Sequence, residues 1–253
     1  MRWSILSLIA LTAVSMLVGF VWLPSAHPDF TAKGLWDGIC RAAGVPSSWV
    51  ATGDIKAGPS STQVVLTPAM ARPGAADSVG RGASLAIAQC TMCHGARGVS
   101  AADAPNLAGQ YAEVVAKQLM DYRRGDRQSA SMRALAMPLT DANIRDLSAY
   151  YASLKRPKNT PVTDLSNAPA LVKVGDPMRN VAPCAACHGG MEQKLGAPWL
   201  EGMPKAYLVA QLTAFASGER HNDSHAQMRN MARALTPKEI GDVAEFYARV
   251  AVE

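Results

Sequence analysis

The sequence has little of several residue classes, and each shortage excludes a kind of protein. Of its 253 residues, 18 % are charged and 6 % are aromatic. It also lacks the dense stripe of Lys and Arg that nucleic-acid binding uses, so no nucleic-acid partner is predicted. The five cysteines are an odd number, and a scaffold of disulfide pairs cannot account for all of them. With 49 % hydrophobic residues, however, the chain can fold, and its length allows about two domains.

The net charge of +5 is distributed unevenly. Residues 1–78 carry five basic and four acidic groups, residues 79–156 ten and six, and residues 157–253 ten and ten. The basic excess therefore lies in the middle third of the chain. A mild local excess of this kind favours docking to an acidic protein surface.

Residues 1–24 are predicted to be a membrane anchor. Trp3 to Trp22 contains no charged residue, and twenty helical residues at ~1.5 Å each span the ~30 Å hydrocarbon core of a bilayer. Arg2 would remain cytoplasmic, which predicts a single-pass protein of the bacterial inner membrane with its remaining domains on the periplasmic side. A cleaved signal peptide is the alternative, although its apolar region is usually ~7–15 residues long.

Two further segments are predicted between the anchor and the folded region. Residues 25–50 form a short amphipathic helical segment that fits the bilayer surface, a partner subunit or the first domain. Cys40 lies in it, and a small buried hydrophobic side chain is the interpretation we favour for this residue. Residues 51–78 are rich in Pro, Gly and Ser without helical periodicity, which predicts a flexible tether.

Two C-x-x-C-H motifs, 94 positions apart, are the most informative feature of the sequence. Their residues are Cys90, Cys93, His94, Cys184, Cys187 and His188. Thiols one helical turn apart can each form a thioether with the same haem, and the next His is then directed at the iron. A redox dithiol and a zinc site are alternatives. The repeated region that follows each motif favours two separate haem domains.

That region repeats in detail. The pattern P-x-L-x-G at 105–109 returns at 198–202, and Q-L-x-x-Y-x-x-G-D-R at 118–127 returns as Q-L-x-x-F-x-x-G-E-R at 211–220. The second copy has a longer loop around 221–225. The predicted domains are therefore residues 79–156 and 173–253, joined by a linker over 157–172.

Each copy is predicted to be all-α. A helix leads into the Cys motif, a second begins near Tyr111 or Tyr207, and a terminal helix is capped by Thr140 or Thr236. No strand is indicated. Each copy has only about 75–85 residues, a size at which a protein core alone is marginal, and a covalently held haem would complete it.

Over residues 79–253 the chain resembles the two-domain dihaem class I cytochromes c, and the cytochrome c4 family in particular. The resemblance implies two tandem class I domains that pack about a pseudo-twofold axis. It also implies two covalently bound haem c groups and an electron carrier without catalytic activity. It does not cover residues 1–78.

The sixth ligand of each iron has several candidates, whereas His94 and His188 follow from the motif. The candidates are Met132, Met137, Met228, Met231, His221 and His225. Met132 and Met228 occupy equivalent positions, seven residues before a Leu-Thr pair, and the resemblance places the axial Met at this distance before the last helix. They are the predicted ligands, with core filling as the alternative.

The sequence also predicts where five other side chains lie. Arg127 and Arg220 are predicted either to contact the haem carboxylates or to lie exposed. Tyr122 and Phe215 are predicted to be core residues, and Met92 is predicted to pack internally.

The predicted function is electron transfer in a respiratory chain, from a donor complex to a terminal oxidase. Iron with His and Met ligands has no open site for oxygen or peroxide chemistry. A stable electron-transfer subunit of a larger oxidase or dehydrogenase complex is the alternative. A dihaem peroxidase or thiosulfate-oxidising enzyme is less favoured, because it would need an iron without Met ligation.

Overall fold

The computed structural model describes residues 2–18, 22, 61–156, 165–189 and 194–248. The chain divides into two units, Met1–Gly58 and Pro59–Glu253. The helical segment predicted over 25–50, with Cys40, lies outside the described residues, as do residues 157–164 of the predicted linker.

The described residues form α-helices joined by loops and short 3₁₀ turns. In chain order the helices are α1 (Arg2–Leu17), α2 (Ala76–Gln89), α3 (Thr91–His94), α4 (Ala112–Arg124), α5 (Ala130–Ala136), α6 (Asp141–Ser153), α7 (Ala170–Lys173), α8 (Lys205–Ser217), α9 (Gln227–Arg233) and α10 (Pro237–Ala248). The 3₁₀ turns are Pro68–Ala71, Pro177–Arg179, Cys184–Ala186 and Ser224–Ala226.

The first unit contains α1, which has 16 residues and is therefore about 24 Å long. Among the described residues, no helix combines the length and the apolarity needed to cross a membrane. The transmembrane helix predicted over 1–24 is thus not supported by this part of the structure.

The first repeat forms one half of the second unit and has its own core. Its buried residues are Ala86, Val115, Ala116, Leu139, Ile144, Leu147 and Tyr151. The terminal helix α6 begins as predicted, because Thr140 and Asn143 form a reciprocal capping box that satisfies free backbone N–H groups. Helices α2 and α4 both pack against α6.

The second repeat has an equivalent core built on α8 and α10. Its buried residues are Ala168, Leu171, Val172, Val181, Met203, Leu208, Val243, Ala244 and Tyr247. Thr236 caps α10, again as predicted, through hydrogen bonds exchanged with Glu239.

The prediction of a helix leading into the second Cys motif is wrong. The four-residue α7 ends before Gly175, whose φ is +71°, and an isolated antiparallel bridge joins Asp176 to Val181. Pro177 lies between the bridged residues and cannot donate a backbone hydrogen bond to a continuing helix. Local Gly and Pro thus replace the counterpart of α2 with a turn.

From residue 61 onward, the structure also differs from the flexible tether predicted over 51–78. Residues 61–66, here called the strap, make hydrogen bonds to both repeats. Met70 then packs against the first core, and α2 begins at Ala76, inside the predicted tether. Buried and exposed residues alternate over 63–66, and this stretch makes specific contacts despite its lack of helical periodicity.

Candidate haem sites

The first Cys motif lies at a helix end, and the second in a 3₁₀ turn. His94 N donates to Cys90 O at 3.0 Å, and His188 N donates to Cys184 O at 2.9 Å, so each motif forms one turn that ends in its His. None of the four motif cysteines is paired in a disulfide, so each sulfur is available for a thioether. Burial raises the pKa of Cys90 and raises that of Cys184 to about 11, and both side chains are partly buried, whereas Cys93 and Cys187 are exposed.

Each motif histidine is oriented by a backbone carbonyl from the P-x-L-x-G loop. His94 Nδ1 lies 2.9 Å from Pro105 O, and His188 Nδ1 lies 3.0 Å from Pro198 O. Since a carbonyl only accepts, Nδ1 carries the proton in both rings and Nε2 keeps its lone pair for a metal. Burial lowers the pKa of both imidazoles, which also favours the neutral, ligating form.

Met132 and Met228 occupy matching places in the two halves. Met132 lies in α5 and Met228 in α9, the short helices before each terminal helix, and both side chains are partly buried. Met137, by contrast, is 59 % exposed. Met231 packs against the second core, where its sulfur accepts a hydrogen bond from Ala182 N at 3.4 Å.

The remaining candidates lie in the longer second loop. His225 is exposed and has a left-handed backbone, with φ of 53°. His221 is partly buried.

The prediction that Met92 packs internally is wrong, because this side chain is 95 % exposed at the surface of the first motif.

One buried donor fits a haem carboxylate. The Nε1–H group of Trp199 is buried without an acceptor among the described residues, and Trp199 follows Pro198, which holds His188. A buried N–H without a partner is costly, so an acceptor is expected there.

No group of three or more His, Cys, Asp or Glu able to hold a metal ion occurs among the described residues, and a zinc site would need one.

The repeated arginines lie in a buried cluster between the halves. Arg127 donates to Gln118, Tyr207 and Gln211, while Arg220 donates to Gln211 and Gln118, so the two glutamines are shared across the interface. The two guanidinium groups also stack on Tyr122 and Phe215 at 4.7 and 4.3 Å. As predicted, these two rings are core residues, at 9 % and 6 % exposed.

The electrostatics of this cluster also fit an anionic group. Burial and the charge of Arg127 lower the pKa of Arg220 to about 10. The positive charge of Arg220 also contributes to the lowered pKa of His188, the histidine of the second motif. Close cations of this kind favour a negatively charged neighbour, and the carboxylates of a haem would supply one.

The sequence alone did not reveal several residues that join the halves. Gln110 exchanges two hydrogen bonds with the backbone of Trp199, at 3.0 and 2.9 Å. Lys117 Nζ donates to Asp121 Oδ2 and to Asn222 O, both at 2.6 Å. Lys117 and Asp121 are replaced by alanines in the second copy. Repeat matching therefore gave no signal for them.

Comparison with known proteins identifies the family. The family model for cytochrome c matches residues 79–155 and 180–250. The chain belongs to the cytochrome c family. Cytochrome c4 from Thiocapsa roseopersicina is 37 % identical over 165 residues, which cover 62 % of this chain and 84 % of the relative.

Two further relatives support a cytochrome c4-like molecule with two domains. The crystal structure of reduced cytochrome c4 from Pseudomonas stutzeri has a TM-score of 0.61 and 28 % identity, covering 71 % of this chain and all of the relative. A protein named thiosulfate dehydrogenase electron acceptor, from Stutzerimonas stutzeri, is 36 % identical over 67 % of this chain and 82 % of the relative. The predicted all-helical fold with two tandem domains is confirmed.

This cytochrome c4-like protein has two covalently bound haem c groups and is an electron carrier, not a catalytic enzyme. The oriented histidines, the spacing of the motif cysteines and the Trp199 donor without an acceptor among the described residues all fit such a group. When bound, haem supplies one-electron redox chemistry, and the chain supplies ligands, burial and docking surfaces.

Proposed function

We propose that the chain is a periplasmic respiratory electron carrier that accepts electrons from a donor complex and delivers them to a terminal oxidase. The observation that carries the proposal is the pairing of two matched haem sites across one buried interface, with Arg127 and Arg220 sharing Gln118 and Gln211. Two sites held by a common interface suit the passage of electrons within one molecule.

The proposed thioether residues are Cys90, Cys93, Cys184 and Cys187, and the proposed iron ligands are His94, Met132, His188 and Met228. The Met assignment is supported by the matching short helices and by the other roles of Met137 and Met231. Met and His ligation raises the reduction potential and closes the iron to oxygen, as a carrier requires.

The first domain is the proposed docking surface for an acidic partner. Residues 79–156 carry ten basic and six acidic groups. Near the first motif, the surface of this domain presents the exposed side chains of Met92 and Arg97. An exposed apolar side chain beside a cation suits short-range contact combined with electrostatic steering. The rate of reaction with the oxidase should therefore fall as salt concentration rises.

Stopped-flow oxidation of the reduced carrier by a purified terminal oxidase tests this docking surface. Arg97→Glu should lower the second-order rate constant about tenfold at low ionic strength, because like charges oppose the encounter. Lys238→Glu changes a side chain of the second domain that is 83 % exposed, and it should leave the rate nearly unchanged. Equal effects of the two variants, or a rate independent of salt, would contradict docking through the first domain.

Membrane attachment through residues 1–24 is a further part of the proposal. It is supported by the uncharged run and by α1, whose described side chains over 6–18 are exposed, Leu8 and Leu11 by 66 % and 69 %. Fractionation of cells that express the full chain tests it. The wild type should sediment with membranes and Leu8→Asp/Leu11→Asp should be released, whereas a soluble wild type would reject attachment.

The name of the Stutzerimonas relative favours a second candidate function. This chain would then accept electrons from a thiosulfate dehydrogenase. Reduction by thiosulfate in the presence of such an enzyme, compared with reduction by a quinol-oxidising complex, separates the two donors. Stoichiometric co-purification with large subunits in mild detergent would instead support a fixed subunit of an oxidase or dehydrogenase complex.

A further inference from the structure

Two successive residues of the strap contact different haem domains. Ser61 Oγ accepts a hydrogen bond from Arg229 Nη2 at 2.9 Å, and Thr62 Oγ1 donates to Asp121 Oδ1 at 2.5 Å. Arg229 lies in α9 of the second domain, whereas Asp121 lies in α4 of the first. The strap therefore joins the two domains upstream of the region that repeats.

Both attachment points are buried and held by their own surroundings. Arg229 is 4 % exposed, and its Nε lies 2.7 Å from Asp223 Oδ1. Asp121 is fully buried and also accepts bonds from Lys117 and Asn222, both at 2.6 Å. Hydrogen bonds to charged groups are among the stronger ones, so the strap is fixed relative to both domains.

Apolar contacts hold the other end of the strap. Val64 is 9 % exposed, while the next residue, Val65, is 79 % exposed. Leu66 then packs against Gly196 of the second domain, so closely that a Cβ atom at Gly196 would stand 2.2 Å from Leu66 Cδ1. Alternate residues of this extended segment thus face the protein, as in a strand laid on a surface.

We propose that the strap holds the two haem domains in one relative orientation, with Ser61 and Thr62 as positioning residues for electron transfer between the haems. Polar contacts also join the domains, such as the paired bonds of Gln110 with Trp199. Polar interfaces between domains permit relative motion unless further contacts restrain them. The strap supplies such a restraint, whichever donor and acceptor the carrier uses.

The Trp199 amide reports on opening of the interface, since it donates across it to Gln110 Oε1 at 2.9 Å. The test is hydrogen–deuterium exchange of the full chain carrying both haems, in the reduced state. The variant Ser61→Ala/Thr62→Val removes the hydrogen bonds of the strap to Arg229 and Asp121, and Thr62→Ser keeps the hydroxyl. Val65→Thr alters an exposed strap position and is the matched control.

In the double variant, exchange at Trp199 should rise about tenfold, as the loss of a hydrogen bond to a charged group implies. Electron transfer between the haems, followed after flash reduction, should slow in the same variant. Thr62→Ser and Val65→Thr should match the wild type in both measurements. Haem content and the Met-to-iron absorption band should stay unchanged, and these separate a failure of the strap from a failure of the proposed ligands.

Three results would overturn the proposal. The first is unchanged Trp199 exchange in the double variant. The second is equally faster exchange at Ile144 and Leu147 in the first core, which would make the strap a stabiliser of that domain alone. The third is an unchanged rate of electron transfer between the haems despite faster exchange, because the strap would then not position them.

Discussion

Gly82 of α2 lies directly against the backbone carbonyl of Asp146 of α6. A Cβ atom at Gly82 would stand 2.0 Å from Asp146 O and 2.8 Å from Tyr150 Cβ. Because the obstacle is backbone, α2 and α6 would have to move apart to admit a methyl group. Gly82→Ala should therefore destabilise the first domain by about 1–3 kcal/mol, measured by guanidinium unfolding of the haem-loaded protein.

Gly80, two residues earlier in α2, provides the control for this prediction. No atom lies within 4 Å of a Cβ atom built there. Gly80→Ala should leave stability unchanged or raise it by up to about 1 kcal/mol, because Ala favours the helix. Similar effects of the two substitutions would refute close packing of α2 on α6.

Glu239 is predicted to make the stability of the second domain depend on pH. Hydrogen bonds from Arg179, at 2.6 Å, and from the Thr236 backbone hold the pKa of Glu239 at about 2. Since this pKa lies below that of an unfolded Glu, about 4.3, the stabilisation is present above pH 4.3 and is lost as pH falls towards 2. Glu239→Ala should cost about 1 kcal/mol at pH 7.

Thermal unfolding of the wild type and Glu239→Ala between pH 7 and pH 3 checks this. The difference between their midpoints should shrink as the solution is acidified. Asp242→Ala removes only an exposed pair with Lys238, and it should cost less than about 0.5 kcal/mol. A difference between wild type and Glu239→Ala that grows in acid would contradict a lowered pKa of Glu239 in the folded protein.

Asn222 links the longer loop of the second repeat to the first domain. Its side chain is 1 % exposed and donates to Gln118 Oε1 and Asp121 Oδ2, both in the first domain. Asn222→Ala should cost about 2–3 kcal/mol, because it leaves buried acceptors short of donors. His225→Ala, in the exposed part of the same loop, should stay within about 0.5 kcal/mol of the wild type. Equal losses on denaturant unfolding would contradict this role of Asn222.

The helices and haem motifs could be predicted from the sequence because their signals are local. Thr140 and Thr236 directly precede amphipathic runs, and each C-x-x-C-H motif is complete within five consecutive residues. The contact of Gln110 with Trp199 joins residues 89 positions apart and leaves no periodic signal. Met92 was misjudged because residue type alone does not show whether a side chain faces solvent.

The repeat also set a limit on what could be predicted. It located equivalent residues such as Arg127 and Arg220, but it concealed features present in only one copy. The turn around Pro177 replaces a helix, and Lys117 has no charged counterpart in the second domain. The strap lies before the repeat begins, where the only signal is a composition rich in Pro, Gly and Ser, and this composition predicts a flexible tether.

The assignment of Met132 and Met228 is most directly tested by near-infrared absorption of the oxidised protein, with covalent haem quantified in the same samples. The wild type should have two haems and the Met-to-iron band. Met132→Ala and Met228→Ala should each keep two haems and lose about half of the band, because each removes one of two equivalent ligands.

Met137→Ala and Met231→Leu are the matched controls, since one changes an exposed side chain and the other a packed one. Both should keep two haems and the full band. A full band in Met132→Ala or Met228→Ala, or its loss in a control, would contradict the account of two closed His and Met haem sites.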